Sequence, residues 1–200
     1  MRCSDLRGGD ILLQFNAGTV VGSLISFGQR MQGQSHSSIV HAGILFDNHY
    51  MIQALGPGIS GTDVRVQDAR LGYFVYRSKQ ANLAAGAATC AKMMFDVHGA
   101  HQTLKYSVSG AVGSLFGKGP VKTRTQMNAL LDDILTGKGH PFFCSQFVVY
   151  VYQFVAEQNG LNGSLLFNLG DAKVSPAKLA TVLEKNSFFS AVGYLNPSER

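Results

Sequence analysis

The sequence predicts a single α+β domain in which a small antiparallel sheet packs against helices. Three observations carry that expectation. Short or alternating apolar runs crowd the stretch from Asp10 to Arg77, and helix-period segments follow it. The chain of 200 residues suffices for one filled core. With 46% apolar and 14% charged residues it is too hydrophobic for a disordered chain. No internal repeat or Pro-rich linker divides it, so the expected domain spans residues 1–200.

Asp10 to Phe15 is a short apolar run and reads as the first strand. Ser38 to Phe46 alternates, with His41, Gly43 and Leu45 on one face and Val40, Ala42 and Ile44 on the other. His49 to Leu55 follows a tight Asp47-Asn48 turn, which makes a hairpin, and Gly56-Pro57-Gly58 ends it. Thr62 to Val66 and Tyr73 to Arg77 complete the sheet. Ala81 to Val97 is rich in Ala, Met and Lys and predicts a helix ending at His98-Gly99. Lys122 to Leu135 predicts a second, closed by Gly137. The Gly- and Ser-rich stretch Tyr106 to Pro120 between them reads as a long irregular loop. After Cys144, Val148, Val151 and Val155 recur at i, i+3 and i+7 with Phe147 and Phe154 beside them, the pattern of a buried helix. Ser175 and Pro176 supply an N-cap and an N1 proline for a last helix through Glu184, and Phe188 to Leu195 suits a closing strand.

Several function classes drop out on composition. The net charge of +5 is mild and its carriers are scattered, without the basic block of a nucleic-acid module, so no nucleic-acid partner is expected. Such a balance suits an anionic polymer or surface. The longest apolar stretch, Phe142 to Ala156, is interrupted by Ser145, Gln146 and Gln153 and is shorter than the ~20 residues that span a bilayer. No transmembrane segment is therefore expected. The opening residues lack an apolar h-region, which predicts cytoplasmic synthesis without a signal peptide. The three cysteines show no CxxC or Cys/His zinc spacing, and the HxxH pair of His98 and His101 lacks supporting ligands. Neither metal nor cofactor is expected. No serine sits in a GxSxG elbow, and Gly117-Lys118-Gly119 lacks the spacing of a phosphate loop.

Nucleophilic chemistry remains. Cys144 follows Pro141, which discourages helix, and opens the apolar helical segment. A cysteine at a helix N-terminus meets the positive end of the macrodipole, which favours thiolate. Cys3, in a terminus expected to be mobile, and Cys90, in an Ala-rich helix, lack that context. A thiolate needs a base, and His41 stands mid-strand among apolar residues, where an imidazole requires partners. His140, four residues before Cys144, is the second choice. His36 reads as solvated and His49 as a turn residue.

Four blocks occur in one order: Gly9-Asp10-Ile11-Leu12, Val40-His41-Ala42-Gly43-Ile44, Met51-Ile52-Gln53-Ala54 and Phe143-Cys144-Ser145-Gln146-Phe147-Val148. Together they resemble the circularly permuted NlpC-like branch of the papain-fold cysteine hydrolases, in which the histidine precedes the cysteine. Tyr73 to Arg77 and Ser175 to Leu179 are softer matches, so the resemblance runs from about Gly9 to Leu179. It implies a permuted papain-like fold and acyl-enzyme chemistry with Cys144 as nucleophile, His41 as base and Gln53 orienting the ring. Several relatives carry Glu where this chain has Gln53; an amide oxygen still accepts an imidazole N–H but supplies no full charge. The implied oxyanion hole uses the backbone N–H of Cys144 with a second donor from Asp10. NlpC-like enzymes commonly cut amide bonds in peptidoglycan stem peptides. With a leaderless start, that activity suits an antibacterial toxin delivered by a contact-dependent route, such as type VI secretion, to a target periplasm, with an immunity protein as partner. Two other readings compete. The same branch resembles lecithin–retinol acyltransferase-type enzymes, and the apolar segments Val20 to Phe27 and Val108 to Phe116 would then meet acyl chains. The third reading is a binding module with a dead site.

Overall fold

The computed structural model describes residues 1–15, 36, 38–55, 58–66, 71–101, 124–135, 143–169 and 174–195. Its strands are β1 (Ile11–Phe15), β2 (Ile39–Leu45), β3 (Tyr50–Leu55), β4 (Gly58–Asp63), β5 (Tyr73–Ser78) and β6 (Phe189–Leu195). Its helices are α1 (Ala81–His101), α2 (Arg124–Leu135), α3 (Cys144–Gln158), the single turn α4 (Gly163–Leu166) and α5 (Pro176–Lys185). The architecture is α+β, as the order of elements implied. The strands form one sheet in the order β4-β3-β2-β1-β5-β6, every neighbouring pair antiparallel.

Alternation sorts the sheet residues into two layers. Ile11, Leu13, Ala42, Ile44, Ile52 and Ala54 face the helices. Leu12, Leu45, Met51, Val75 and Leu195 form a smaller cluster with Cys3 and Leu6. In α3 apolar residues recur on every side, and it is buried almost throughout. Phe147 and Val151 are fully enclosed, and such burial contributes about 1.5–3 kcal/mol per side chain. Ser175 Oγ accepts the Lys178 N–H at 3.1 Å and starts α5 at Pro176, as its sequence implied.

Two expectations need correction. The strand expected over Thr62 to Val66 is displaced: β4 begins at Gly58, whose φ of +134° suits glycine. It ends where Asp63 Oδ1 accepts the Arg65 N–H at 2.9 Å, an Asx-type turn that leaves Val66 exposed. The N-terminus is held rather than mobile. Cys3 is buried at the start of a 3-10 turn, because it and Leu6 cover the second face of the sheet. The Met1 ammonium donates to Tyr194 O at 2.9 Å.

The start of β1 is fastened from three sides. The Asp10 carboxylate is buried and accepts from Arg77 Nε at 2.7 Å and Nη2 at 2.6 Å. Tyr152 on α3 donates its hydroxyl to Gly9 O. Gly9 itself has φ +87° and lies so close to α1 that a Cβ would stand 2.3 Å from Ala84 O. Only glycine fits there, and the three contacts set α1 and α3 against the strand that carries β2.

The expected loop Tyr106 to Pro120, the segment Val20 to Phe27, Gly117 to Gly119, Gly137, His140 and Pro141 lie outside the described residues.

Candidate active site

The site lies where β2 and β3 part. They pair at Ile44↔Ile52 and Leu45↔Met51. Beyond that, β2 continues along β1 through Gln14↔His41 and, across a register shift, to Phe15↔Ile39, while β3 continues along β4 to Leu55↔Gly58. A notch therefore opens between the two ladders. Leu45 N–H donates to Asp10 O on the β1 side, so by alternation the N–H groups of Ile44 and Ala42 point the other way, toward β3. With no β3 partner beyond Ile44 among the described residues, the Ala42 N–H meets the Cys144 thiol instead.

Cys144 reaches the notch as the first residue of α3. Phe143 before it is extended (φ −93°, ψ 152°), and its N–H donates to Gln146 Oε1 at 2.7 Å, which satisfies one donor at the helix start. The backbone N–H groups of Ala42, Ser145 and Cys144 all favour a charged sulfur. Burial opposes them and prevails: the thiol is fully enclosed and its pKa is pushed up to about 12. The thiolate expected from the helix terminus is therefore a neutral thiol in this state.

His41 is partly buried on β2, and its Nε2–H donates to Gln53 Oε1 at 2.7 Å. Gln53, itself buried on β3, donates through Nε2 to Thr62 Oγ1 on β4 at 2.8 Å. With the amide oxygen on Nε2, the ring's Nδ1 is left unprotonated, the nitrogen able to take a proton. Burial lowers the His41 pKa to about 4, against a smaller upward effect of the Gln53 bond. The ring and thiol are thus both uncharged near neutrality.

The two groups come to the notch from different sides of the sheet. Ala42, Ile52 and Ala54 face α3, so alternation carries His41 and Gln53 to the opposite face. Among the described residues no hydrogen bond joins the Cys144 thiol to the His41 ring; the thiol meets the amide of the residue after His41, and the ring bonds Gln53. Proton transfer between them requires the ring or the thiol to move within the notch.

Asp10 stands apart. Its N–H donates to Arg7 O at 3.0 Å and its carboxylate is held by Arg77. It precedes Ile11, whereas His41 pairs with Gln14, about 14 Å further along β1 at ~3.4 Å per residue. The structure does not bring Asp10 to the notch. His36 Nε2 lies 3.0 Å from Glu184 Oε2, so it is paired rather than merely solvated. His49 Nδ1 bonds Asn48 Oδ1 at 2.6 Å in its turn. Cys90 is buried in α1, as its Ala-rich surroundings implied.

Three contributors were not singled out from the sequence: Thr62, the Ala42 amide and Gln146. Gln146 had a local signal, being three residues after an extended aromatic at a helix start. Thr62 and Ala42 depend on strand register and had none.

Among the described residues no three His, Cys, Asp or Glu side chains gather to hold a metal. No described helix is long and apolar enough to cross a membrane. No protein-family model matches the chain, and no curated protein matches it.

Proposed function

We propose that this chain is a cysteine hydrolase of the permuted NlpC-like, papain-fold type, cleaving amide bonds of peptidoglycan stem peptides through an acyl-enzyme. One observation carries the reading. A cysteine at a helix start and a histidine oriented by an amide flank the same strand opening, with the histidine's Nδ1 left as the free base. A cysteine with a base, and a base with an orienting partner, is the constellation that activates a thiol. The mild net charge of +5 supports an anionic polymer as substrate.

In this mechanism His41 Nδ1 takes the proton from Cys144 Sγ as substrate enters the notch. The sulfur attacks the scissile carbonyl carbon, and the backbone N–H of Cys144 receives the developing oxyanion. As the C–N bond breaks, His41 returns the proton to the departing amine. Water, deprotonated by the same ring, then hydrolyses the thioester and frees the thiol. Gln53 keeps Nε2–H bonded throughout, orienting the ring without supplying charge.

The test is to incubate the protein and its Cys144→Ala variant with purified sacculi and, in parallel, with phospholipid vesicles, and to identify products by mass spectrometry. Stem-peptide fragments released only by the wild type are expected. Acyl release from the vesicles would move the assignment to lipid chemistry, and equal activity of the variant would remove Cys144 from it.

A further inference from the structure

Among the described residues two buried side-chain atoms have no hydrogen-bond partner, Gln153 Oε1 on α3 and Ser60 Oγ on β4, and the second lies beside the site. Buried hydroxyls are rarely left unbonded, because an unmade bond forfeits the solvation the group had in water. Ser60 is also the direct cross-strand partner of Gln53 in the β3–β4 ladder, on the same face. Thr62, two residues on, shares that face and already accepts from Gln53 Nε2 at 2.8 Å. The two hydroxyls thus bracket the amide that orients the proposed base.

The chemistry of an amide end makes this pairing directional. Gln53 Nε2 carries two N–H donors, whereas Oε1 requires only the single N–H of the His41 ring. With the nitrogen toward β4, two hydroxyl acceptors stand opposite two donors. With the amide turned round, its nitrogen would meet one imidazole nitrogen and a second N–H would be buried unpaired. The turned amide would also force the proton onto His41 Nδ1, the nitrogen required as base.

We propose that Ser60 and Thr62 are positioning residues that together fix the direction of the Gln53 amide and so the tautomer of His41, Ser60 Oγ engaging the second Gln53 N–H by rotation about χ1. This rests on the catalytic reading for its purpose but not for its test. The ring tautomer is a property of the folded protein whether or not it hydrolyses anything.

The experiment compares wild type with Ser60→Ala, Thr62→Val, the double variant and Thr62→Ser. Two-bond 1H–15N correlations of the His41 ring report which nitrogen carries the proton. The rate of iodoacetamide alkylation at Cys144, read by peptide mapping, reports delivery of the thiol proton. Wild type should show the Nε2–H tautomer. The double variant should gain about five- to tenfold in the Nδ1–H form, the worth of one net hydrogen bond, with alkylation slowed by a similar factor. Thr62→Ser, which keeps the hydroxyl, should match wild type and separates the effect from a loss of packing. An unchanged tautomer in a folded double variant would overturn the proposal, as would Thr62→Ser behaving like Thr62→Val. Inactivity on every substrate with the tautomer shift intact would count against the hydrolase reading alone.

Discussion

Replacing Gln53 by Glu puts a carboxylate where the amide oxygen now stands, 2.7 Å from His41 Nε2. At an effective dielectric of ~20, a full charge at that distance attracts an imidazolium by about 6 kcal/mol. Burying the new carboxylate where Gln53 is only 2% exposed takes back several kcal/mol. The Thr62 hydroxyl, already beside the group, recovers part of that by donating to it. The net is the usual gain from an opposite charge in contact, about one to three pH units. His41 should therefore move from about 4 into the range of roughly 5 to 7. In the wild type the unfolded ring takes a proton near pH 6.5, while the folded ring waits until about 4. Stability is then full above the higher value and falls as pH drops through that window, by about 3 kcal/mol in all. The variant should lose less over the same range. The decisive assay is an NMR titration of the His41 Cε1–H resonance in both proteins, with urea unfolding across the window as its thermodynamic counterpart. A wild-type midpoint near the ordinary histidine value would refute the burial, and an unmoved midpoint in the variant would refute the contact.

Four further outcomes follow from three separate parts of the fold. Because burial pushes the Cys144 thiol up to about 12, its alkylation by iodoacetamide should rise about tenfold per pH unit from neutrality to about pH 10. A plateau near neutrality would show a ready-made thiolate. By the same linkage, stability from the neutral thiol holds below about 9 and is lost as pH rises toward 12. Gly9→Ala forces a Cβ onto the α1 backbone at a positive φ and should cost about 3 kcal/mol or more in urea unfolding; an unchanged midpoint would mean the turn does not sit against Ala84. Ser175→Ala removes the cap bond to Lys178 N–H and should cost about 1 kcal/mol, with a null result assigning the start of α5 to Pro176 alone.

Where local pattern decides structure, the sequence was readable. Alternation set His41 and Ala42 on opposite faces, and from His41 to Leu45 the sheet keeps that pattern; before His41 it breaks, because a register shift against β1 brings Ile39 rather than Val40 into the helix-side core. The valine spacing after Cys144 marked a buried helix, and Ser175-Pro176 marked the start of another. Charge at the cysteine was not readable, because a helix start favours thiolate while enclosure disfavours it, and enclosure depends on elements distant in sequence. The same holds for Thr62, whose contact with Gln53 follows from a register set by Gly58 at the hairpin. Asp10 failed as a second oxyanion donor for a related reason. Its neighbourhood in sequence suggested the site, whereas the pairing of Ile11 with Ile44 sends it to the far end of the strand.

The Ala42 amide has a use as a gauge. In a complete ladder it would bond a neighbouring carbonyl and its proton would be indifferent to chemistry. Here it ends on sulfur, because β2 and β3 separate after two residue pairs. Any gain of negative charge on Cys144, whether from raised pH or an approaching base, strengthens that bond along with those of the Ser145 and Cys144 N–H groups. Its resonance should move downfield as the sulfur ionises and relax when the sulfur is acylated. A single backbone signal thus records the electronic state of the Cys144 sulfur continuously, without label, inhibitor or substrate analogue.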